Sequence, residues 1–123
     1  MIRIEGLFKK IGDQTVLRDI NLEISDGELM VILGESGSGK TVLLQHLIGL
    51  RQPDGGRIEI DGVDITRLSE EELLRIRRSM GYLFQEGALY DFMTVFENVA
   101  FPVEEHTSFG AAQVRQKVMD VLA

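Results

Sequence analysis

The chain has 123 residues, a formal net charge of −7 at pH 7 and no cysteine. That length suits one domain with its own core, although it is short for a large α/β fold. The acidic balance, with no long basic run, argues against nucleic acid or anionic lipid as a directly bound partner, and without cysteine there is no disulfide or thiolate chemistry. Charge alternates with aliphatic residues in Met1-Ile2-Arg3-Ile4-Glu5, so the N-terminus reads as neither a secretion signal nor a membrane span, and a soluble, cytoplasmic chain is expected. With no internal repeat and only two prolines, Pro53 and Pro102, the expectation is one continuous unit.

Ile2 and Ile4, then Ile20, Leu22 and Ile24, alternate with polar residues, which predicts half-buried strands of a small antiparallel sheet. Asp26-Gly27 supplies a turn into the unbroken apolar run Leu29-Met30-Val31-Ile32-Leu33, the pattern of a strand covered on both faces of a parallel sheet. Directly after it, Gly34-Glu35-Ser36-Gly37-Ser38-Gly39-Lys40-Thr41 fits the phosphate-cradling pattern GxxxxGK[ST] at every fixed position. Val42, Leu43, Leu44, Leu47, Ile48 and Leu50 then follow helical spacing, which puts Lys40 and Thr41 in the first turn of a helix.

A strand-loop-helix turn of this composition suits a nucleoside triphosphate. Exposed N–H groups and the positive end of the helix dipole face the anion, and Gly34, Gly37 and Gly39 permit close backbone approach. Lys40 is expected to place its charge on the β and γ phosphates, Thr41 to ligate the bridging Mg²⁺, and Val42 to complete the contacts at the helix start. A Gly-rich turn with a merely solvated Lys40 is the plainer alternative, and agreement of strand, loop and helix disfavours it.

Pro53-Asp54-Gly55-Gly56 breaks the chain, and Ile58, Ile60, Val63 and Ile65 around Asp61-Gly62 predict a hairpin joining the same sheet. Ser69-Glu70-Glu71-Glu72 has the form of a capping box and opens a short helix ending in arginines. Met80-Gly81-Tyr82-Leu83-Phe84 reads as another strand, delivering Gln85 at its C-terminal end, where open α/β sheets place ligand groups. Thr94-Val95-Phe96-Glu97 repeats the capping box and predicts a helix to about Phe101, closed by Pro102. Glu104-Glu105-His106 reads as solvated charge in a polar connector, and His46 as a packed or capped residue of the loop helix. A last helix, capped by Ser108, carries Ala111, Val114, Val118, Val121 and Leu122 on one apolar face.

With these pieces in order, the sequence closely resembles the ATP-binding subunits of ABC transporters along its whole length. The likeness rests on Val16-Leu17-Arg18-Asp19-Ile20-Asn21-Leu22-Glu23-Ile24 before the loop, Pro53-Asp54-Gly55-Gly56 after its helix, and Leu83-Phe84-Gln85 at the family's Q-loop. The stretches Phe84 to Tyr90 and Met93 to Pro102 look most like ATPases of lipid transporters that work with MCE proteins in maintaining outer-membrane lipid asymmetry. The resemblance implies an α/β P-loop NTPase fold, an antiparallel β-subdomain plus an incomplete RecA-like parallel sheet with helices. It implies ATP and Mg²⁺ as cofactors, with Gln85 approaching the metal and the attacking water. It also implies a transmembrane permease subunit that touches the segment after Gln85, a second ATPase subunit, and a place on the cytoplasmic face of the inner membrane.

Two departures qualify the resemblance. Family members often carry an aromatic where this chain has Ile11, and the nearby Phe8 offers a ring that can either stack on adenine or pack in the core. The LSGGQ motif, the Walker B aspartate, the catalytic glutamate and the switch histidine do not occur in these residues, so no catalytic residue is assigned. Residues 1–123 are therefore expected to be the N-terminal portion of one ATPase domain. The leading reading is the ATP-binding part of a transporter ATPase. Against it stand a nucleotide-binding or interaction module without turnover, and a small P-loop kinase, which the sheet before the loop and the Gln85 segment fit poorly. Apolar faces left uncovered by missing strands are expected to drive rearrangement, element swapping or self-association.

Overall fold

A computed structural model describes all residues, Met1–Ala123. The alternating isoleucines form strands β1 (Ile2–Ile11) and β2 (Gln14–Ile24), which pair antiparallel around the turn at Gly12-Asp13. Strand β3 (Gly55–Ile60) lies on the other side of β1, and the short β4 (Val63–Asp64) pairs with β3 across Asp61-Gly62, giving the order β2-β1-β3-β4. The antiparallel sheet and the hairpin thus form as the sequence predicts, with Ile4 opposite both Leu22 and Ile58. Gly56 marks the closest approach within it: a Cβ there would stand 2.4 Å from the Gly6 carbonyl oxygen, at a φ of 82°. Glycine at position 56 is therefore required for β3 to pair this closely with β1.

Helix α1 (Lys40–Leu47) buries Leu43, His46 and Leu47, and helix α2 (Glu70–Arg77) buries Leu73. Leu43, Leu47 and Leu73 join Ile4, Leu7, Leu17 and Ile58 of the sheet in one core. Each such side chain contributes about 1.5–3 kcal/mol on leaving water. Asp54 fastens the chain after α1 to β1, accepting from Lys9 Nζ at 2.8 Å and from the Lys10 N–H at 2.7 Å. Helix α2 begins as predicted, with the Ser69 hydroxyl and the Glu72 carboxylate satisfying each other's backbone amides.

Two predicted strands do not form. Leu29-Met30-Val31-Ile32-Leu33 and Met80-Gly81-Tyr82-Leu83-Phe84 lie outside every hydrogen-bonded ladder. A strand exists only through a neighbour that pairs with its backbone, and neither segment has one in the sheet. In the first, burial alternates. Ile32 packs on the core, whereas Leu29, Val31 and Leu33 are 90%, 66% and 88% exposed, so one face is covered rather than both.

The contacts divide the chain into two compact units, Met1–Tyr82 and Leu83–Ala123. In the second, helix α3 (Val95–His106) packs against α4 (Ala111–Leu122), with Ala100, Val114 and Val118 buried and Phe96, Val99 and Val103 around them. Thr94 and Glu97 form the predicted capping box. Helix α3 does not stop at Phe101, however, but runs through Pro102 to His106. Val103, the next residue, packs on the α3–α4 cluster, and that packing offsets the amide that proline lacks. Glu104, Glu105 and His106 are consequently exposed residues of the last helical turn, not of a connector. Gly110, rather than Ser108, caps α4, its N–H donating to Gln113 Oε1 at 3.1 Å. Of the apolar face of α4, only Val114 and Val118 are buried, while Val121 and Leu122 of the last turn stay exposed. No helix is long and apolar enough to cross a membrane.

Candidate functional site

The predicted phosphate loop runs from Gly34 to the start of α1, exposed through Ser38 and buried only at Gly39. Gly39 occupies the N-cap position at φ 99° and ψ 4°, with no side chain capping the helix. A Cβ at Gly39 would meet Val16 Cγ1 at 3.0 Å, the Val16 carbonyl oxygen at 3.1 Å and Leu17 Cδ2 at 3.3 Å. The loop base is thus pressed directly onto β2. That contact, and not a paired strand before the loop, positions the helix start.

The first-turn amides of Lys40, Thr41 and Val42 carry no side-chain cap, which leaves them with the positive end of the helix at an exposed surface. Lys40 folds back over the loop, donating from Nζ to the carbonyl oxygens of Gly34 at 2.7 Å and Glu35 at 2.6 Å, with Ser38 Oγ at 3.4 Å. The loop is further closed by the Ser38 N–H, which donates to the Glu35 carbonyl at 3.2 Å. Gly37 has a φ of 80°, turning the chain inside the loop. Gly34 has ordinary φ, and its role is space: a Cβ would stand 2.6 Å from Ser38 Oγ. Gly34 to Val42 therefore form one continuous polar cradle, with its single ammonium already centred over it.

The residues fit a polyphosphate with its divalent cation. The Lys40 ammonium lies over the loop on the Gly34 and Glu35 carbonyls, and Thr41 presents a neutral hard oxygen on the exposed side of the first turn. No group of three or more acidic, His or Cys side chains is placed to hold a metal by itself. Mg²⁺ is commonly held by few protein oxygens together with substrate phosphates.

Ile11 ends β1 opposite Gln14, with 42% of its surface exposed at the hairpin tip, while Phe8 is half-buried within β1 opposite Gly55. Gln85 does not end a strand. It lies exposed in a tight turn closed by the Gly87 N–H donating to the Phe84 carbonyl at 2.9 Å, and belongs to the second unit. Sequence reasoning missed Val16 and Leu17 as the seat of the loop, because bulges between Leu7 and Lys10 shift the β1–β2 register in a way no alternation pattern reveals.

His46, on the inner side of α1, is 1% exposed. Its Nδ1 lies 2.7 Å from the Val42 carbonyl, so Nδ1 carries the hydrogen, and Nε2 is buried with no partner at hydrogen-bonding distance. Burial is the main reason its pKa is lowered, assisted by the charges of Lys9 and Arg51 and opposed by the Val42 and Gln52 carbonyls. It is a packed residue of the loop helix, as its sequence position suggests.

The ABC transporter family profile matches residues 17–123. The chain is 46% identical over 122 residues to the probable ribonucleotide transport ATP-binding protein mkl of Mycobacterium tuberculosis (strain ATCC 25618 / H37Rv), covering 99% of this chain and 34% of that protein. It is 43% identical over 119 residues to the intermembrane phospholipid transport system ATP-binding protein MlaF of Haemophilus influenzae, covering 97% of this chain and 45% of that one. Among solved structures, the ATP-binding cassette MJ0796, in a dimeric post-hydrolysis state bound to ADP and Pi, superposes with a TM-score of 0.87 at 31% identity, over 98% of this chain and 55% of that one. The chain thus spans between a third and a half of the curated relatives' length.

Proposed function

The chain belongs to the ABC transporter family as an ATP-binding domain, and on that premise we propose that it is the phosphate-binding portion of an ATPase subunit that powers lipid transport. The observation that carries this reading is the Lys40 ammonium held 2.6–2.7 Å from two loop carbonyls, above an uncapped helix start. On binding ATP, Lys40 exchanges those carbonyls for β and γ phosphate oxygens, and the backbone amides from Gly37 to Val42 take the remaining oxygens. The Thr41 hydroxyl would hold Mg²⁺, whose charge would offset that of the phosphates. Ile11 at the hairpin tip, or Phe8 within β1, meets the base. By the family resemblance, Gln85, a neutral amide, would serve as a metal ligand and sense the state of the nucleotide.

In the whole protein, the LSGGQ and Walker B residues come from chain beyond this segment, and a second ATPase subunit completes each nucleotide site. The segment after Gln85 docks on a transmembrane permease subunit, which places the protein at the cytoplasmic face of a membrane with no nucleic acid involved. The likeness of Met93 to Pro102 to MCE-associated ATPases, and the MlaF relative's phospholipid system, favour lipid as cargo. The mkl relative, named for ribonucleotide transport, defines the test. Reconstituted with its permease in vesicles, the full-length protein should move labelled phospholipid to acceptor vesicles only when ATP is hydrolysed. ATP-driven ribonucleotide uptake without phospholipid movement would refute the lipid reading.

A further inference from the structure

The β1–β2 pair carries two bulges of opposite sense. Between the pairs Ile4↔Leu22 and Leu7↔Ile20, strand β1 has two residues, Glu5 and Gly6, against Asn21 alone on β2. Between Leu7↔Ile20 and Lys9↔Leu17 the excess reverses, with Arg18 and Asp19 of β2 against Phe8. Ile4 and Leu7, like Ile20 and Leu17, are an odd number of residues apart and would face opposite sides of a regular strand. Each bulge returns the second residue of its pair to the core side, and Leu7 and Leu17 are both buried there. A third shift follows at once. Val16 lies between the pairs Lys9↔Leu17 and Lys10↔Thr15, and β1 has no residue between Lys9 and Lys10 to oppose it. Val16 and Leu17 are the residues on which Gly39 of the phosphate loop rests, so the bulges set where the loop sits.

One side chain ties the first two bulges together. Asn21 Oδ1 accepts from the Gly6 N–H at 2.8 Å, the amide of a bulged residue of β1. Its Nδ2 donates to the Asp19 carbonyl and to Asp19 Oδ1, each at 3.0 Å. Asp19 has a φ of 50°, a left-handed conformation disfavoured for residues with a Cβ, whereas Gly6 takes the same region at 57° without penalty. Asn21 is itself exposed and takes no part in the core. Its amide therefore acts on backbone geometry and not on packing.

We propose that Asn21 is a positioning residue for nucleotide binding: by holding Gly6 and Asp19 in their bulged conformations it fixes Val16 and Leu17 as the seat of Gly39, and so keeps the phosphate loop in its binding shape. Asn21 acts through β2 and not by contact with the nucleotide. The inference rests on the reading of Gly34 to Val42 as the ATP phosphate site.

Calorimetric titration of the full-length protein with MgATP tests it. Asn21→Ala should bind about three- to tenfold more weakly than the parent, the equivalent of one hydrogen bond. Glycine adopts a positive φ freely, so adding Asp19→Gly to Asn21→Ala should restore most of the affinity, a recovery that a general loss of stability would not show. Asn21→Asp keeps the acceptor for Gly6 and loses the donor to Asp19. It should behave like the alanine variant, and it takes its place, with and without Asp19→Gly, if that protein does not fold. Unchanged affinity in Asn21→Ala overturns the inference, and weakened affinity that Asp19→Gly fails to restore overturns the route through the bulges. Lys40→Ala, measured alongside, tests the underlying reading. A parent that does not bind, or a Lys40→Ala protein that binds equally well, removes the phosphate site and the inference together, whereas weakened binding in Lys40→Ala with no effect at Asn21 removes the inference alone.

Discussion

Gly39 is the residue on which the loop geometry turns. Its φ is 99°, and a Cβ there would stand 3.1 Å from the Val16 carbonyl oxygen, so a side chain would be both strained and crowded. Gly39→Ala should cost about 1–3 kcal/mol from backbone strain alone, and it should weaken nucleotide binding by lifting the loop off β2. Thermal melts of the two proteins measure the first effect. An unchanged melting temperature would mean that the loop is not seated as described. His46 makes a different prediction, about pH. Burial lowers its pKa from the ordinary 6.5, so the unfolded chain takes up a proton at a pH where the folded chain does not. Its contribution to stability is full above about pH 6.5 and is lost as pH falls from there through the lowered folded value. The groups around it, Lys9 of β1 and Arg51 beyond α1, add positive charge, and Asp54 is already engaged by Lys9. Melting temperature followed from pH 7.5 to 5.5 should decline in the parent and decline less in His46→Leu. Parallel curves would contradict the assignment.

At the scale of elements, the signals that were legible in the sequence are the local ones. Ser69 with Glu72 and Thr94 with Glu97 each satisfy their helix start within four residues, so nothing distant can overrule them. Helix α3 shows the opposite case. Pro102 looked like its end, but Val103 packs with Ala100, Val114 and Val118, and that tertiary contact extends the helix past the proline. The strain remains, and Pro102→Ala restores the missing amide; it should stabilise the α3–α4 unit by about 1–3 kcal/mol. Chemical denaturation followed by helical circular dichroism tests this, and a destabilised variant would show that the proline has a packing role. The phosphate loop was legible as chemistry, from Gly34 through Thr41, but not as architecture. Its seat on Val16 depends on bulges in β1, and the strand expected before it depends on pairing partners, neither of which is written in the local pattern.

At the scale of the molecule, the chain leaves apolar surface unsatisfied. Leu29 and Leu33 are 90% and 88% exposed on a segment whose backbone joins no sheet, and Leu83 is 86% exposed. Such edges recruit other strands, including those of a second copy. Light scattering coupled to size exclusion should therefore show a mass that rises with concentration, and Val31→Lys with Leu33→Lys should shift it toward the monomer. A monomer of constant mass at all concentrations would show that these faces are not adhesive.

Everything proposed about function depends on the loop from Gly34 to Val42 binding the phosphates of ATP through Lys40. Calorimetric titration of the chain with MgATP measures this directly, comparing the parent with Lys40→Ala. The parent should bind, and removing the ammonium should weaken binding at least about tenfold, or 1.4 kcal/mol. Equal affinity in the two proteins, or no heat of binding in the parent, would contradict the account.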